Sequence, residues 1–467
     1  MLELKKNNEI LEGVEIIDIA DEGKAVGRKN DMVVFVSGAV PGDIVDVKIT
    51  KRKRSFIEGK VEKIIKPSTY RVKPFCKHFG ICGGCKWQHL SYDTQLHFKQ
   101  KHVEDCLSRI AGIETTGILM PILKCDEQQL YRNKLEYTFS NRRFLTHEDD
   151  FDTPKQLNGL GFHIPGRFDK VLDIEECFLQ REPSNEIRLE IKKFALLNNH
   201  EFFNLRSQTG FLRNIIIRTT TDEVMLIVVF YYEDKTKRMA LLDHISSVFP
   251  EITSLMYVIN SKRNDVISDL SIELYKGNPY ITETMEYLNF RVSPVSFYQT
   301  NPLQAYELFK TVREFAGLTG NETVYDLYTG TGSIANFVSR RAEKVVGIEN
   351  IESAVNDARR NSAINNIKNT SFFSGDMVKV LNDEFVETNG RPDIVIADPP
   401  RSGMHKDVVF ALMNILPGRI VYVSCNPSTQ ARDVEILKEK YHLVKSQAVD
   451  MFPHTQHVEN VALLEKI

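Results

Sequence analysis

No stretch of this 467-residue chain reaches the ~18 uncharged apolar residues of a membrane-spanning helix, and its start, MLELKKNNEI, lacks the apolar core of a signal peptide. We therefore expect a cytoplasmic protein that does not contact membranes. Cysteine is scarce, with seven residues, and the sequence has no internal repeats or low-complexity segments. Because the cytoplasm disfavours disulfides, cysteines that cluster would indicate a metal site or catalysis.

Positive and negative side chains nearly balance, since the formal net charge is −3. This value neither favours nor excludes nucleic acid as a partner. The distribution is more informative, because the stretch from Lys48 to Lys73 holds ten Lys or Arg residues and only two acids. Hydrophobic residues make up 42% and charged residues 26% of the chain, which is typical of globular proteins, and the length predicts two to four domains.

The first 68 residues alternate apolar and polar side chains and are interrupted by the turn sequences DEG, SGAVPGD and KPS. This pattern predicts four or five short strands that form a small β-barrel. Such barrels often carry oligonucleotides on one face. The basic block Lys51–Arg54 could contact RNA phosphates or could be a solvated hairpin tip, and the sequence leaves both possibilities open.

The predicted secondary structure changes twice along the rest of the chain. A Cys- and Gly-rich segment at 74–92 is followed by a helical pattern and then by a β-rich region from about 130 to 290. From about residue 302, helical and strand patterns alternate. This alternation predicts a parallel, doubly wound α/β sheet, in which ligands bind beyond the carboxyl ends of the strands.

Four cysteines have a spacing that suits a metal. Three of them form C-x5-C-x2-C, and the fourth lies in IEECFL. Sites made only of thiolates hold zinc or an iron–sulfur cluster, and the spacing alone does not decide between them. We interpret Cys106 and Cys125 as structural. The four candidate ligands are Cys76, Cys82, Cys85 and Cys177.

The strand-end sequence DLYTGTGSIA, residues 326–335, fits the loose dinucleotide pattern G-x-G-x-x-G/A, and Glu349 follows Gly330 by 19 residues. A nicotinamide or flavin cofactor would satisfy this pattern as well as S-adenosylmethionine would. Asp326 favours S-adenosylmethionine, because a carboxylate before the glycines would repel a pyrophosphate but can hold the ammonium group of the methyl donor.

Two later strand ends carry further candidates. ADPPRSG places Asp398 in the cleft, and its Arg401 stands where amino-group methyltransferases have an aromatic residue. VSCNP places Cys425 at the same sheet edge, where it is either a buried packing residue or a nucleophile. A thiolate that adds to carbon 6 of a pyrimidine makes carbon 5 nucleophilic, and a base must then remove the carbon-5 proton. Candidates for that base are His454, His457 and Glu459.

Six motifs, in this order, carry a resemblance to a known family. They are FYQTN, DLYTGTG, GIE, DPPRSG, VSCNP and FPHTQHVE. Together they resemble the RNA uracil-5 methyltransferases over essentially the whole chain. Within that family the chain is most similar to the bacterial branch that modifies 23S ribosomal RNA and carries an iron–sulfur cluster.

The resemblance implies a multidomain protein with α/β and β parts. Residues 1–68 would form a TRAM domain, an OB-like RNA-binding barrel. Residues 69–93 and 126–290 would form a central β-rich domain with a [4Fe–4S] cluster on the four cysteines. Residues 94–125 and 291–467 would form the Rossmann-like methyltransferase domain. We expect a monomer that acts on 23S ribosomal RNA.

The resemblance also assigns residues. It implies that Cys425 is the nucleophile and Glu459 the base. The methyl donor would be contacted by Gln299, Tyr328, Glu349 and Asp398, with Asp376 as a weaker candidate at the adenine end. Where the family usually has Cys, this chain has Thr329, a position without a role in the reaction scheme.

Three other functions are compatible with parts of this pattern. Methylation of uracil in tRNA would use the same residues. Cytosine-C5 enzymes use the same thiolate chemistry, but they usually place a Cys beside the proline where this chain has DPPR. A noncatalytic iron–sulfur RNA-binding protein would not need Cys425, Glu459 or the Gly-rich loop.

Overall fold

The computed structural model describes residues 9–20, 22–146 and 156–467. Residues 1–8 and 21 of the predicted barrel and residues 147–155 of the predicted central domain lie outside the described residues. In the described ranges, every helix is too short or too polar to cross a membrane.

The N-terminal residues form a small closed β-barrel of five strands, as predicted. Its interior is filled by alternate side chains, among them Val14, Val34 and Val47, because successive residues of a strand point to opposite faces. The strand order around the barrel is β1-β2-β3-β5-β4. The strands are β1 (Ile10–Ile19), β2 (Ala25–Lys29), β3 (Met32–Ser37), β4 (Ile44–Arg52) and β5 (Phe56–Lys66).

A helix and a strand follow the cysteine-rich segment and pack with the C-terminal part of the chain. They are α1 (Tyr92–Arg109) and β6 (Leu119–Leu123). Strand β6 pairs in parallel with a strand near the C-terminus, and Val103 and Leu107 of α1 lie in the same apolar core as that region. This segment therefore contributes an edge strand to the C-terminal sheet.

The central region is a seven-stranded sheet of order β13-β12-β11-β10-β7-β8-β9. Its strands are β7 (Lys134–Ser140), β8 (Gly159–Ile164), β9 (Arg167–Asp173), β10 (Leu212–Thr219), β11 (Val224–Phe230), β12 (Ile252–Ile259) and β13 (Glu273–Gly277). Two helices, α2 (Ser184–Leu197) and α3 (Lys235–Val248), cover one face.

Strands β10 and β11 are buried on both faces, which explains the continuous apolar sequence of β11 and the run Ile215–Ile217 in β10. Ile217 and Leu226 pack in the core under α2 and α3. Their neighbours Ile216 and Met225 belong to a second core that extends into the C-terminal part of the chain. The two regions therefore share a continuous apolar core.

The C-terminal part begins with a hairpin and continues as an eight-stranded sheet with helices on both faces. The strands are β14 (Ile281–Met285), β15 (Leu288–Val292), β16 (Thr323–Leu327), β17 (Lys344–Glu349), β18 (Thr370–Ser374), β19 (Ile394–Ala397), β20 (Arg419–Ser424), β21 (Tyr441–Val449) and β22 (Glu459–Lys466). The helices are α4 (Pro302–Ala316), α5 (Ser333–Val338), α6 (Glu352–Ile364), α7 (Met377–Val380), α8 (Asp383–Asn389), α9 (Lys406–Ile415) and α10 (Pro427–Leu437), with a short 3₁₀ turn at Ser339–Arg341.

The sheet order is β18-β17-β16-β19-β20-β22-β21-β6, and the predicted all-parallel arrangement needs one correction. Strand β22 is antiparallel to both β20 and β21. A sequence of alternating helices and strands predicts parallel neighbours, but β21 and β22 follow each other without a crossover helix, so the last strand reverses direction. The domain boundaries given above stay predictions.

Candidate active site

The antiparallel pairing of β20 and β22 brings Cys425 and Glu459 together. The last residue pair of this ladder is Ser424 with Asn460. One further step in the same register, beyond the end of the ladder, leads to Cys425 and Glu459, and the Glu459 charge acts on the Cys425 thiol. Directly opposed positions have Cβ atoms about 4.5–5.5 Å apart. The reversal of β22 therefore places a thiol beside a buried carboxyl at the sheet edge where ligands bind.

The sequence around Cys425 explains how it is held. Ser424 ends β20, and Asn426 caps helix α10 by accepting a hydrogen bond from the Ser428 backbone N–H (3.1 Å). Pro427 occupies the first helical turn, where its missing N–H costs nothing. The cysteine thus sits in a tight strand-to-helix connection. It remains partly accessible and lines a cavity of about 200 Å³.

Arg401 lies beside the thiol. Its guanidinium acts on the Cys425 pKa and donates to His457 Nδ1 (3.2 Å). Burial raises the pKa of the Cys425 thiol to about 11, the Glu459 charge adds to the rise, and Arg401 opposes it. In the free protein the thiol is therefore protonated at neutral pH, and Arg401 is the cation that favours its ionisation.

Glu459 is buried and begins β22. Burial raises the pKa of its carboxyl to about 8, the charge of Asp398 raises it further, and Arg401 lowers it. Burial also raises the pKa of Asp398 to about 7. Both carboxyls therefore titrate close to neutral pH, which is the range that a proton-transferring group needs.

The two histidines of FPHTQHVE have different surroundings. The His454 ring is buried against Gln95, whose Nε2 lies 3.3 Å from its Nδ1, and it does not line the cavity around Cys425. The His454 backbone carbonyl accepts from two backbone N–H groups, those of Lys86 and Trp87. His457 lines the cavity with Cys425. Burial lowers the pKa of both imidazoles to about 4, so both are neutral at pH 7.

A second group of residues surrounds the Gly-rich loop after β16. Asp326 is buried, and its Oδ2 accepts from the Thr329 hydroxyl and from the Ala335 backbone N–H (3.0 Å). Its Oδ1 is buried and has no hydrogen-bond partner in the described part of the chain. Burial raises the pKa of Asp326 to about 7. A buried carboxylate oxygen without a donor fits a cationic ligand group such as the ammonium of a methyl donor. Thr329 therefore has a structural role that the sequence did not suggest.

The other predicted donor contacts lie around the same loop. Glu349 ends β17 and accepts from the backbone N–H groups of Gly330 (3.1 Å) and Asn350 (2.8 Å). Tyr328 has a left-handed backbone with φ of 62°, which a non-glycine residue rarely adopts and which is common at functional sites. Asp376 is exposed and caps α7 through the Val378 N–H (3.1 Å), a structural role.

Gln299 lies in the FYQTN segment, which connects β15 to α4. Its backbone carbonyl accepts from the side chain of Asn133 (3.1 Å). Phe297 of the same segment is 69% exposed, and its carbonyl accepts from Thr331 in the Gly-rich loop (3.4 Å). The segment is therefore anchored on one side to the central region and on the other to the loop.

One large cavity of about 820 Å³, the main cavity, runs from the cysteine-rich segment to Arg401 and His457. Basic side chains lie along it, namely Arg132, Lys134 and Arg218, which suits the phosphates of a nucleic acid. The four candidate ligands, Cys76, Cys82, Cys85 and Cys177, line its other end.

The four candidate side chains at that end are all thiols, so their chemistry, but not their arrangement, suits an all-thiolate group. Burial raises the pKa of Cys85 to about 11 and that of Cys177 to about 12, and the charges of neighbouring cysteines add to the rise. Four thiols that oppose one another's ionisation are stabilised as thiolates by a bound metal. In the residues that the structure describes, no group of three or more His, Cys, Asp or Glu side chains has the arrangement of a metal site. Cys106 and Cys125 do not line the cavity.

Two contributors to the site were not predicted from the sequence. In the sequence, Arg401 was considered only because it stands where amino-group methyltransferases have an aromatic residue. Its position directly after DPP was the signal that it lies at the ligand-binding edge of the sheet. The turn after β1 carries no motif that points to the site. Glu22 lines the cavity around Cys425, and the carbonyl of Gly23 accepts from the Trp87 indole (3.1 Å). The barrel therefore reaches the active site itself.

A doubly wound sheet with a Gly-rich loop over a buried aspartate is the architecture expected of an S-adenosylmethionine-dependent methyltransferase. Comparisons with known proteins agree. Residues 277–467 match the tRNA (Uracil-5-)-methyltransferase family, and residues 10–61 match the TRAM domain.

Two curated relatives illustrate the similarity. An RNA methyltransferase of Bacteroides thetaiotaomicron is 54% identical over 96% of this chain and 100% of its own length. One from Chlorobaculum tepidum is 38% identical over 99% and 97% of the two chains. The solved structure of the tRNA (uracil-54, C5)-methyltransferase of Pyrococcus abyssi, in complex with S-adenosyl-L-homocysteine, is 30% identical, has a TM-score of 0.76, and covers 97% of this chain and 100% of its own.

The chain belongs to the RNA uracil-5 methyltransferase family. It is an S-adenosylmethionine-dependent RNA methyltransferase with an N-terminal TRAM domain.

Proposed function

We propose that the protein methylates carbon 5 of a specific uridine in 23S ribosomal RNA. The observation that carries the chemistry is the register that opposes Cys425 and Glu459 at the ligand-binding edge of the sheet. Both residues lie within the electrostatic reach of Arg401, and Asp398 affects the pKa of both.

In the proposed reaction the Cys425 thiolate adds to carbon 6 of the uracil, so that carbon 5 becomes nucleophilic and accepts the methyl group. Glu459 then removes the proton from carbon 5, and the sulfur–carbon bond breaks to release Cys425. Arg401 favours the thiolate. The buried surroundings of Glu459 keep its pKa close to that of a base working near neutral pH.

The methyl donor supplies an electrophilic methyl group on a sulfonium. We propose that Asp326 holds its ammonium, that Glu349 accepts from its ribose hydroxyls, and that Gln299, Tyr328 and Asp398 contact it. Asp376 is the weakest of the proposed contacts, because its carboxylate already caps a helix.

We also propose that the four cysteines at the end of the main cavity hold a [4Fe–4S] cluster. The support is that all four line one cavity and that the sequence most resembles the iron–sulfur branch of the family. When bound, the cluster would tie residues 76–85 to residue 177 and so stabilise the central region. The methyl transfer needs no electrons, so a structural role suffices.

A second candidate substrate is tRNA, because the Pyrococcus abyssi protein of similar structure is named as a tRNA methyltransferase. We favour ribosomal RNA because the barrel and the four cysteines together resemble the branch of the family that modifies it. We further propose a cytoplasmic location and a monomeric state. Transcripts of 23S ribosomal RNA and of tRNA, incubated with labelled methyl donor, separate the two substrates.

Three variants test the chemistry. Cys425→Ala should bind the methyl donor but form no RNA adduct and transfer no methyl group. Glu459→Gln can complete addition and methyl transfer but not proton removal, so a methylated protein–RNA adduct should accumulate on denaturing gels. His454→Ala should not trap RNA. If His454→Ala traps RNA while Glu459→Gln turns over normally, the assignment of the base is wrong. Label in cytosine rather than uracil would exclude the proposed reaction.

A further inference from the structure

A second cavity lies behind the FYQTN segment and has no role in the proposed reaction. It has a volume of about 170 Å³ and is enclosed by β14, the start of α4 and the loops around residues 127–133 and 219–221. An engineered cavity of about 150 Å³ binds benzene, so this volume suits one six-membered ring. We call it the second cavity.

Within the residues that the structure describes, one carboxyl oxygen in the second cavity has no hydrogen-bond partner. It is Oε2 of Glu283, a residue on β14 that is only 5% exposed. The two other carboxylates that line the cavity are satisfied, since Glu127 pairs with Arg181 (2.7 Å) and Glu286 pairs with Arg313 (2.8 Å). A buried polar atom without a partner needs an explanation, and a ligand that donates a hydrogen bond provides one.

The rim of the second cavity is suited to a flat ring. Leu130 and Leu303 both line it and are 43% and 54% exposed, although apolar side chains of this size are usually covered. Leu130 is also held in a left-handed backbone with φ of 58°. Two exposed leucines at the mouth of a ring-sized cavity can pack against the faces of a planar ligand.

The second cavity is next to the RNA cleft. Arg132 lines both it and the main cavity. Asn133, the next residue, also lines the second cavity, and it bonds to the carbonyls of Gln299 (3.1 Å) and Thr300 (2.8 Å). The guanidinium groups of Arg132 and Arg181 suit a phosphate and disfavour a metal cation.

These features select the kind of ring. A carboxylate accepts a hydrogen bond from the exocyclic amino group of cytosine, whereas uracil presents a carbonyl oxygen at that position. A protonated carboxyl can pair with the N3/N4 edge of cytosine and also with the N3/O4 edge of uracil, so the preference for an amino group belongs to the ionised form. Burial raises the pKa of Glu283 to about 7, so both forms exist near neutral pH.

We propose that the second cavity binds an amino-bearing nucleobase, cytosine in the first instance, from a nucleotide that neighbours the target uridine in the bound RNA. Glu283 reads the amino edge of the base, Leu130 and Leu303 cover its faces, and Arg132 contacts the phosphate that connects it to the target. One part of this proposal, that the base comes from the RNA substrate, rests on the proposed function. The other part, that the cavity prefers an amino-bearing base, is independent of it.

The first experiment does not depend on catalysis. Binding of CMP and UMP to the full-length protein is measured by ligand-observed NMR titration. CMP should bind about tenfold more tightly than UMP, since one base contact discriminates by about 1–3 kcal/mol. Glu283→Gln should remove most of this difference. The control Glu387→Gln, which makes the same change at an exposed site on α8, should keep it. Equal binding of CMP and UMP, or a preference that survives in Glu283→Gln and Glu283→Ala, overturns the proposal.

The second experiment identifies the source of the base. A short oligouridine with one 5-fluorouridine becomes trapped, because after thiolate addition and methyl transfer carbon 5 carries fluorine instead of a removable proton. Cytidine is then placed at each flanking position in turn. At one position cytidine should speed adduct formation about tenfold relative to uridine in the wild-type protein, and this acceleration should be absent in Glu283→Gln.

The outcomes of the two experiments are distinct. If no oligonucleotide is trapped, the proposed function is wrong. The CMP and UMP titration then still tests whether the second cavity prefers an amino-bearing base. If CMP is preferred but no flanking position matters, the base is not taken from the RNA and that part of the proposal is overturned.

Discussion

The ammonium group of Lys99 on α1 donates to the Asp450 carboxylate, and both side chains are completely shielded from solvent. Lys99 also donates to the carbonyl of Phe452 (3.0 Å), and the Tyr92 hydroxyl completes the shell around Asp450 (2.8 Å). These bonds fix the chain between β21 and β22, which contains FPHTQHVE. Helix α1 therefore helps to position the residues that lead to Glu459.

Lys99→Met should destabilise the protein by about 3–5 kcal/mol, because it leaves the Asp450 charge buried without its cation. The double variant Lys99→Met/Asp450→Asn should recover a large part of this loss. Urea unfolding monitored by circular dichroism measures both. A loss below about 1 kcal/mol for the single variant would show that the pair does not hold the loop.

The raised pKa of Glu459 predicts a pH-dependent cost in stability. The folded pKa of about 8 lies above the ordinary value of 4.5, so between these values the folded state keeps a proton that the unfolded state releases. The contribution of Glu459 to stability is therefore complete below pH 4.5 and is lost as the pH rises to about 8, at about 1.4 kcal/mol per pH unit. In the variant Glu459→Gln this pH-dependent loss of stability is absent, because glutamine does not titrate.

The difference in Tm between Glu459→Gln and the wild-type protein should therefore grow in favour of the variant from pH 5 to pH 8 and then level off. Thermal unfolding without RNA or methyl donor measures it. Glu387→Gln, which alters an exposed carboxylate, should show no such trend. A Tm difference that does not change with pH would mean that Glu459 is ionised in the folded protein throughout this range.

Local sequence patterns predicted much of this fold. KVVGIE coincides with β17, and the strands at PDIVIA and GRIVYVS and the five-stranded barrel also follow from alternation or continuous apolar runs. The reversal of β22 was not predictable, because its sequence, ENVALLEK, reads as a buried strand in either direction. That reversal is what places Glu459 opposite Cys425.

Contacts between segments that are distant in the sequence also could not be predicted. The pairing of Lys99 with Asp450 joins residues 351 positions apart. The unpaired Oε2 of Glu283 differs from the neighbouring carboxylates of Glu127 and Glu286, which form ion pairs with arginines in the folded protein. Neither a periodicity nor a motif marks such residues, since their role depends on what surrounds them in three dimensions.

The proposed cluster makes a prediction about metal content. Protein purified without oxygen should be brown and contain about four irons per chain. Cys177→Ser should lose iron and unfold at lower urea concentration, because metal binding and folding are coupled. Cys125→Ser is the matched control, since Cys125 is also buried but does not line the main cavity. Stoichiometric zinc without iron or sulfide would contradict the cluster.

The basic block Lys51–Arg54 lies at the exposed turn between β4 and β5, so a solvated tip and an RNA contact remain the two possibilities. Lys51 pairs with Glu58 (2.8 Å) and Arg52 pairs with Glu9, whereas no ion pair involves Lys53 or Arg54 within the described residues. The latter two are therefore the better candidates for binding phosphates.

Replacing Lys53 and Arg54 by Ala should weaken RNA binding and reduce the slope of log K against log salt by about 1 for each phosphate that the variant no longer neutralises. Fluorescence anisotropy with labelled RNA at several salt concentrations measures this. The control double variant Lys193→Ala/Lys235→Ala removes two exposed charges from α2 and α3. If both double variants keep the wild-type affinity and slope, the block is only a solvated turn.

The last prediction concerns Arg401, which donates to His457 and whose charge acts on the Cys425 thiol. Its guanidinium opposes the rise in the thiol pKa that burial and Glu459 cause. Arg401→Gln should therefore raise the pKa of Cys425 further, and each unit of rise lowers the thiolate fraction at pH 8 about tenfold.

Because only the thiolate reacts with iodoacetamide, the rate of Cys425 alkylation between pH 7 and pH 10 reports this pKa, and mass spectrometry of the Cys425 peptide separates it from the six other cysteines. Arg401→Gln should shift the alkylation profile to higher pH and slow the trapping of 5-fluorouridine RNA in parallel. Arg391→Gln should leave the profile unchanged, because Arg391 bonds to the carbonyl of Ile415, away from the thiol. If Arg401→Gln slows trapping but leaves the alkylation profile in place, Arg401 binds the RNA and does not activate the thiol.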